Sequence, residues 1–485
     1  MTAQVRLIAQ VVVALVLAAV ALVVLEGARS GVDITHTRYG ETPVTRYSTT
    51  DGPHVIMAHG FAGSREMMQG YALVLARAGY VVHAFDFEGH GRHPEPMRGD
   101  VNALDGTTQR LVDQTRAVME AVGKTEAPIA LVGHSMATDI LVRVAEEEAR
   151  QGPQVLISAF SRAVTATHPQ AALFVAGAWE PGLAAFAVEA AQMVEADARA
   201  GDTVRAGEVV RRAVEAPLVE HVAILQSRAA RTEALDWLNA FYDRDQTPPV
   251  PQTGWALIAL LFAITLVARP LSHLLPARDM VRVRLPMRHW ALVAILPAVV
   301  APLVAVNIPL EILPVLVADY LALHLFIFGA LQLALLMWLG RRLPKPNVLA
   351  SAVLLVWGLG AFGAALHRYG ANFWPSDDRA VIIAALAIGA VPFMLADGWT
   401  AWGAPLWQRI AGRVLFLVSL AGAVALDFEG LFFLIMIAPV ILLFLIIFGT
   451  MGRGFAKRTG PASSGLALGL VLAWALGVSF PLFAG

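Results

Sequence analysis

Cysteine is absent from the 485 residues, which excludes a disulfide framework, a thiolate metal site and a cysteine nucleophile together. Charge is scarce as well. Only 15% of residues are Asp, Glu, Lys or Arg against 57% that are hydrophobic, and mean hydropathy is +0.63. A soluble globular chain carries about 25% charge, so neither a single compact soluble domain nor a disordered chain fits. The charges present are balanced, with 36 Lys and Arg against 37 Asp and Glu. That leaves no basic excess for a nucleic-acid partner. Lysine is nearly missing: Lys124, Lys345 and Lys457 stand against 33 arginines, and with abundant alanine this suits a GC-rich bacterial genome. No His-x-x-x-His or carboxylate–histidine pairing at ligand spacing stands out, so no metal and no cofactor is expected.

Long apolar runs are what the chain has in excess. The first, Leu7–Leu25, follows Arg6, and at about 1.5 Å per residue it approaches the thickness of a bilayer core. It is longer than the ~7–15 residues of a cleaved leader's core and lacks a small-x-small site. Residues 1–26 therefore read as a signal anchor. The composition of residues 27–245 is that of a soluble domain, and residues 246–253 form a proline-rich linker. Residues 254–485 read as a membrane domain with eight spans, near 254–275, 289–308, 312–339, 347–367, 380–396, 410–427, 430–451 and 464–484. Arg269 and Arg413 intrude on two of these and are long enough to snorkel.

Loop charge orients the spans. With a cytoplasmic N-terminus, the inner loops hold Arg269, Arg278, Arg282, Arg284, Arg288, Arg341, Arg342, Lys345, Arg409, Arg413, Arg453, Lys457 and Arg458. The outer loops of the membrane domain hold only Arg368 and Arg379. This asymmetry is the positive-inside pattern. It predicts a multi-pass protein of the inner cell membrane whose soluble domain lies on the periplasmic or extracellular side. Asp319, His324 and Asp397 are costly in lipid and hence candidates for function. Asp319 and His324 are five residues apart, about 140° around a helix, so they are not expected to pair.

In the soluble region, apolar runs at His54–Ala58, Val81–Phe85, Ile129–Val132, Val155–Ala159, Ala171–Ala176 and Glu208–Ala213 alternate with helical patterns. The helices are placed at Arg65–Ala78, Thr107–Val122, Ala137–Arg150, Leu183–Ala200 and Arg231–Tyr242. Such alternation predicts an α/β domain with a mostly parallel sheet covered on both faces. The chemistry concentrates at Gly133-His134-Ser135-Met136-Ala137, where a strand runs straight into a helix. A serine at such an elbow needs small neighbours, and Gly133 and Ala137 supply them. A plain small-residue turn is the alternative for this pattern taken alone. The Met136 N–H, at the helix start, would face the reacting centre, and the turn His59-Gly60-Phe61-Ala62-Gly63 can aim the Phe61 N–H as a second oxyanion donor. Glu180 follows one later strand and His221 the next, in the order Ser135, Glu180, His221.

These stretches, with Asp86-Phe87-Glu88-Gly89-His90-Gly91, resemble the α/β-hydrolase superfamily over residues of roughly 40–245. The nearest group is that of esterases, lipases and monoacylglycerol-lipase-like or serine-aminopeptidase-like hydrolases. Two departures stand out: alanine closes the elbow where glycine is commoner, and the acid is glutamate. The resemblance implies that Ser135 attacks an acyl carbonyl, His221 moves its proton and Glu180 holds the imidazole, while Phe61 and Met136 bind the oxyanion. His134 is expected in the wall of a substrate pocket completed by His59 and Gly60, with the His59 and His90 rings serving as structural hydrogen-bonders. Between Ala159 and Gln170 there is too little chain for a helical lid.

The spacer reaches under ~30 Å even when extended, so the soluble domain is expected against the bilayer, acting on an amphiphilic or envelope-associated acyl substrate. A carboxylic-ester hydrolase is the leading expectation. Peptide or amide cleavage by the same triad remains open, as does a transporter or binding protein whose hydrolase-fold domain is not catalytic.

Overall fold

The computed structural model describes residues 3–100, 103–148, 151–278 and 284–484. Arg282 of the inner-loop set, Met1 and Thr2 of the anchor and Arg150 at one helix end lie outside these residues. The chain forms two compact units, each built from separate stretches. One comprises Val20–Ala259, Leu366–Asn372 and Pro481–Gly485; the other comprises Met1–Ala19, Leu260–Ala365 and Phe373–Phe480. A linear division near residue 250 therefore misses two short segments that join the first unit. Both have polar reasons to do so. The Arg368 guanidinium and the Tyr369 hydroxyl bind the Glu26 carboxylate, and Leu482 pairs its backbone with Gly89 and Met97.

The first unit is an α/β domain. Its elements begin with the end of α1 (Ala3–Arg29) and continue β1 (Asp33–Tyr39), β2 (Thr42–Ser48), β3 (His54–Ala58), α2 (Gln69–Arg77), β4 (Val81–Phe85), β5 (Met97–Arg98), α3 (Gln109–Val122), β6 (Ile129–His134) and α4 (Met136–Glu147). There follow β7 (Gln151–Ile157), β8 (Ala171–Gly177), α5 (Pro181–Gln192), β9 (Thr203–Ala206), β10 (Val209–Ala216) and α6 (Arg228–Tyr242). The main sheet runs β1-β2-β4-β3-β6-β7-β8-β10-β9, parallel from β4 to β10, with antiparallel hairpins at both edges. Its central strands are apolar throughout because both faces are covered. Val55, Met57 and Val132 meet α2 and α6 on one side. Ile56, Ala58 and Leu131 meet α3 and α4 on the other.

The edges depart from the sequence expectation. The hairpin β1–β2 was not anticipated, because its first strand is polar and largely exposed; a two-residue turn at Gly40-Glu41 with a positive φ is its only local signal. The run expected at Glu208–Ala213 is the second strand of a hairpin that turns at Gly207-Glu208. Strand β7 ends at Ile157, two residues early, because Ser158 takes φ +50°. Helix α5 stops at Gln192 instead of Ala200. Among the described residues, no helix intervenes between β7 and β8. That loop is instead held by Arg211 of β10, fully buried, which donates to the carbonyls of Ala190 at 2.7 Å and His168 at 2.9 Å. The proline-rich segment is tied down similarly: buried Arg231 donates to Pro251 O at 2.9 Å and Thr253 Oγ1 at 2.8 Å. Burial lowers both guanidinium pKa values to about 10.

The second unit is helical. After α7 (Thr253–His273) come α8 (Met287–Ala305), α9 (Ala318–Trp338), α10 (Val348–Val356), α11 (Gly363–Tyr369), α12 (Arg379–Thr400), α13 (Leu406–Leu426), α14 (Phe428–Leu431), α15 (Leu434–Thr459) and α16 (Pro461–Ser479). Among the described residues of the whole chain, nine helical stretches are long and apolar enough to cross a membrane. The expected 312–339 span starts only at Ala318, because the Asp319 carboxylate accepts the backbone N–H groups of Ile312 and Leu313 at 3.0 and 2.8 Å and caps the turn before it. Arg413 is paired within the helical unit. Its guanidinium grips Asp397 at 3.1 and 2.8 Å in a two-point pair.

Candidate active site

Strand β6 delivers Ser135 into a left-handed turn with φ +55° and ψ −120°, and α4 starts at the next residue. Side chains flanking this turn must be small. A Cβ at Gly133 would lie 2.7 Å from Leu141 Cδ1 and 3.2 Å from Ala137 Cβ. The strain is held by Ser135 N–H donating to Ile157 O at 2.9 Å and by Thr138 Oγ1 donating to Ser135 O at 2.7 Å. The hydroxyl thus stands at the C-terminal edge of the sheet.

Glu180 follows β8 and precedes α5. Its Oε2 accepts Gly177 N–H and Ser158 Oγ–H, both at 2.8 Å, which leaves Oε1 to face His221 Nδ1 at 2.6 Å. Burial raises this carboxyl, but the bonds from His221, Ser158 and Gly177 outweigh it, and the pKa lies below the ordinary carboxylate value. His221 sits in the loop after β10. Glu220 caps the short turn behind it by accepting Val222 and Ala223 N–H at 2.9 and 2.8 Å. His221 Nε2 lies 2.8 Å from Ser135 Oγ. With Nδ1–H donated to Glu180, the Nε2 lone pair faces the serine proton. Ser135 and Glu180 are each 8% exposed, while the imidazole is 36% exposed, so solvent reaches the base from one side.

Around this trio the remaining candidates divide into backbone donors and buried rings. The turn His59–Gly63 lies against the elbow so closely that a Cβ at Gly60 would be 2.9 Å from both Ser135 Cβ and His134 Nδ1. Phe61 follows in the same turn, with Ala62 at φ +56° and Gly63 N–H donating to Gly60 O at 3.0 Å. Met136 N–H belongs to the first turn of α4, where an amide has no intrahelical acceptor. His134 is buried and donates Nε2–H to the His221 carbonyl at 2.7 Å. Burial first and the nearby His221 second push its pKa down to about 3, so the ring is neutral and positions the histidine loop. His59 is also buried. Its Nδ1–H donates to Gly60 O at 2.8 Å and its Nε2 accepts Phe87 N–H at 3.1 Å. Among the described residues, no group of three or more His, Asp or Glu is placed to hold a metal ion.

Two supporting residues were not singled out from sequence, and a third, Asp86, entered there only as part of the Asp86–Gly91 stretch. Ser158 and Gly177 complete the Glu180 cradle; the only hint was a polar residue directly after an apolar strand. Asp86 is fully buried at the end of β4, where it accepts Arg65 N–H at 2.8 Å and Arg92 N–H at 3.0 Å and pairs with the Arg65 guanidinium. It braces the loop beside the His59 turn.

Residues 52–250 match a family model described as serine aminopeptidase, S33. That segment belongs to the α/β-hydrolase superfamily. Its fold is that of an α/β-hydrolase domain with a mostly parallel sheet, joined in one chain to a region of long apolar helices. Among solved structures, the chain is similar to an epoxide hydrolase of Vigna radiata at 19% identity, covering 27% of this chain and 41% of that one with a TM-score of 0.23. It is also similar to an epoxide hydrolase from an endophytic Streptomyces at 25% identity, covering 26% and 37% with a TM-score of 0.22. A laboratory-evolved potato epoxide hydrolase is 20% identical, covering 27% and 41% with a TM-score of 0.23. The chain therefore spans about two fifths of the length of these proteins. A comparison with curated proteins finds no match.

Proposed function

We propose that this protein is a membrane-integral serine hydrolase that cleaves carboxylic esters of amphiphilic or envelope-associated acyl substrates. The observation that carries the reading is the unbroken chain of contacts from Ser135 Oγ through His221 to Glu180, at 2.8 and 2.6 Å. Ser135 attacks the acyl carbonyl while His221 Nε2 takes its proton; the N–H groups of Phe61 and Met136 receive the oxyanion. The imidazolium, held by Glu180, returns the proton to the departing alkoxide. Water repeats the cycle on the acyl-serine. The nucleophile's chemistry favours acyl transfer over epoxide opening, because a serine hydroxyl that opened an epoxide would be left as an ether with no carbonyl for water to attack.

The amphiphilic substrate rests on what flanks the triad. Trp179, next to Glu180, is 63% exposed, and Leu218, three residues before His221, is 77% exposed. Val222 and Phe160 are exposed as well, giving an apolar rim suited to an acyl chain. Labelling of the purified full chain by a fluorophosphonate tests the nucleophile: wild type should label on Ser135, and Ser135→Ala should not. Hydrolysis of p-nitrophenyl esters should then exceed that of the matching p-nitroanilides and rise with acyl length. Preference for the anilides moves the assignment to an amidase, and an unlabelled wild type abolishes the reading.

The membrane orientation has its own test, aided by the absence of native cysteine. On intact cells, Asp197→Cys in the α/β unit should react with an impermeant maleimide. Arg342→Cys, between α9 and α10, should react only after permeabilisation. The reverse pattern places the hydrolase in the cytoplasm.

A further inference from the structure

The helical unit holds a cavity of about 370 Å³ between the ends of α12, α13, α15 and α16. Arg409, Arg413, Arg453 and Lys457 line it, and Asp397 is the one carboxylate among the lining residues. That carboxylate is taken by Arg413, whose Nη1 also donates to Leu445 O at 2.8 Å. Arg409 has no such arrangement. Its Nε is buried and meets no hydrogen-bond acceptor among the described residues. Among the described residues, Arg453 donates to the Thr450 hydroxyl one turn earlier and to no carboxylate. Leaving a charged donor buried and unmatched costs about 1–3 kcal/mol or more, so the site is built for an acceptor that comes from outside the chain.

The walls keep that space open. A Cβ at Gly449 would stand 2.7 Å from Arg413 Nη1, and one at Gly452 would stand 2.4 Å from Ser464 Oγ. Met394 and Leu468 add apolar surface. The volume falls near the lower end of the ~300–1,000 Å³ of ligand pockets, more than a bare oxyanion fills.

We infer that this cavity binds a phosphate-bearing anion, whose oxygens are received by the Arg409 and Arg453 guanidinium groups. Guanidinium forks match phosphate oxygens, and basic pockets between apolar helices suit the headgroups of anionic lipids. A glycerophospholipid headgroup and a soluble phosphate share this chemistry. Binding here is independent of Ser135 and of the esterase reading.

The test uses the purified full chain in neutral detergent, offered phosphatidylglycerol or phosphatidylcholine in equal amounts, with retained lipid read by native mass spectrometry. Wild type should keep phosphatidylglycerol selectively. The double variant Arg409→Gln/Arg453→Gln should lose at least about tenfold in retention, whereas Arg342→Gln, outside the cavity, should lose nothing. Displacement by millimolar inorganic phosphate identifies a soluble phosphate as the occupant; resistance to it identifies the lipid. A second reading needs no variant: phosphate or phosphatidylglycerol should raise the wild-type unfolding temperature relative to chloride or phosphatidylcholine. Equal retention of both lipids, no such rise, or a double variant that binds as wild type does, overturns the assignment.

Discussion

The two units bury polar groups by different rules. In the α/β unit, besides clamps such as Arg211 and Arg231, one set of buried polar side chains gathers at the C-terminal ends of strands around a single locus. Glu180 is cradled by Ser158 and Gly177, His134 holds the His221 backbone, and Asp86 ties the loop after β4 to Arg65. In the helical unit, apart from the basic cavity, Asp319, His324 and the half-buried Asp397 each satisfy near neighbours and share no locus. Asp319 caps a turn, His324 bridges Tyr320 and Ser419 at 3.0 and 3.1 Å, and Asp397 meets Arg413. The contrast teaches that convergence, not burial alone, marks chemistry. A polar group that only satisfies a neighbour is structure, whereas several that orient one exposed imidazole are a device.

The sharpest way to break this contrast is Glu180→Gln. Gly177 N–H and Ser158 O–H both point at one carboxylate oxygen, so the glutamine carbonyl must occupy that place and its NH₂ must face His221 Nδ1. The ring is then driven to carry its proton on Nε2, where it cannot accept from Ser135. Ester kcat should fall on the order of 10³–10⁴-fold while the fold survives. A loss under tenfold would mean that Glu180 only satisfies its neighbours, as Asp319 does.

Asp397→Asn tests the other side. Among the described residues, the Arg413 guanidinium loses its one carboxylate partner and keeps one carbonyl, at Leu445. The pair is only half-buried, with side chains 23% and 15% exposed, so removing one charge costs less than the ~3–5 kcal/mol of a fully buried pair, and the unfolding temperature in detergent should drop modestly. Asp397→Leu combined with Arg413→Met should recover most of that drop while fluorophosphonate labelling stays as in wild type. If the single variant matches wild type in stability, the pair is no brace.

How much of this could be read from the sequence follows the same division. The parallel strands were legible because apolar runs such as Ile129–Val132 end in glycine at the elbow, and the serine, acid and histidine each come shortly after a strand, β6, β8 and β10 in turn. The hairpin β1–β2 was not, since Asp33, Thr35 and Thr37 carry no apolar face. Ser158 could not be read because its role depends on a positive φ that appears only when β7 ends. For the helical unit, hydropathy indicated the spans but not their partners: Asp397 and Arg413 lie on different helices, and nothing local ties them. Nothing local to Arg211 in its strand indicates that it clamps the loop between β7 and β8.

The mildest test concerns acid. His134 is kept neutral by burial, with its pKa lowered to about 3, against about 6.5 when unfolded. Because the folded value is the lower one, the unfolded state takes up the proton first. The associated stability is complete above pH 6.5 and is lost as pH falls toward 3, by at most about 1.4 kcal/mol per pH unit. His83, lowered likewise by burial, adds a parallel loss, so His134→Gln should remove only its own share. Hydrogen-exchange protection of β6 and α4 in wild type, corrected for intrinsic rates, should fall by up to about tenfold per pH unit more than in that variant. Peptides from α16, which contains no titratable side chain, supply the reference within the same sample. If the wild-type and variant slopes coincide between pH 6.5 and 4.5, the ring takes up its proton in place, and its grip on the His221 backbone does not depend on its staying neutral.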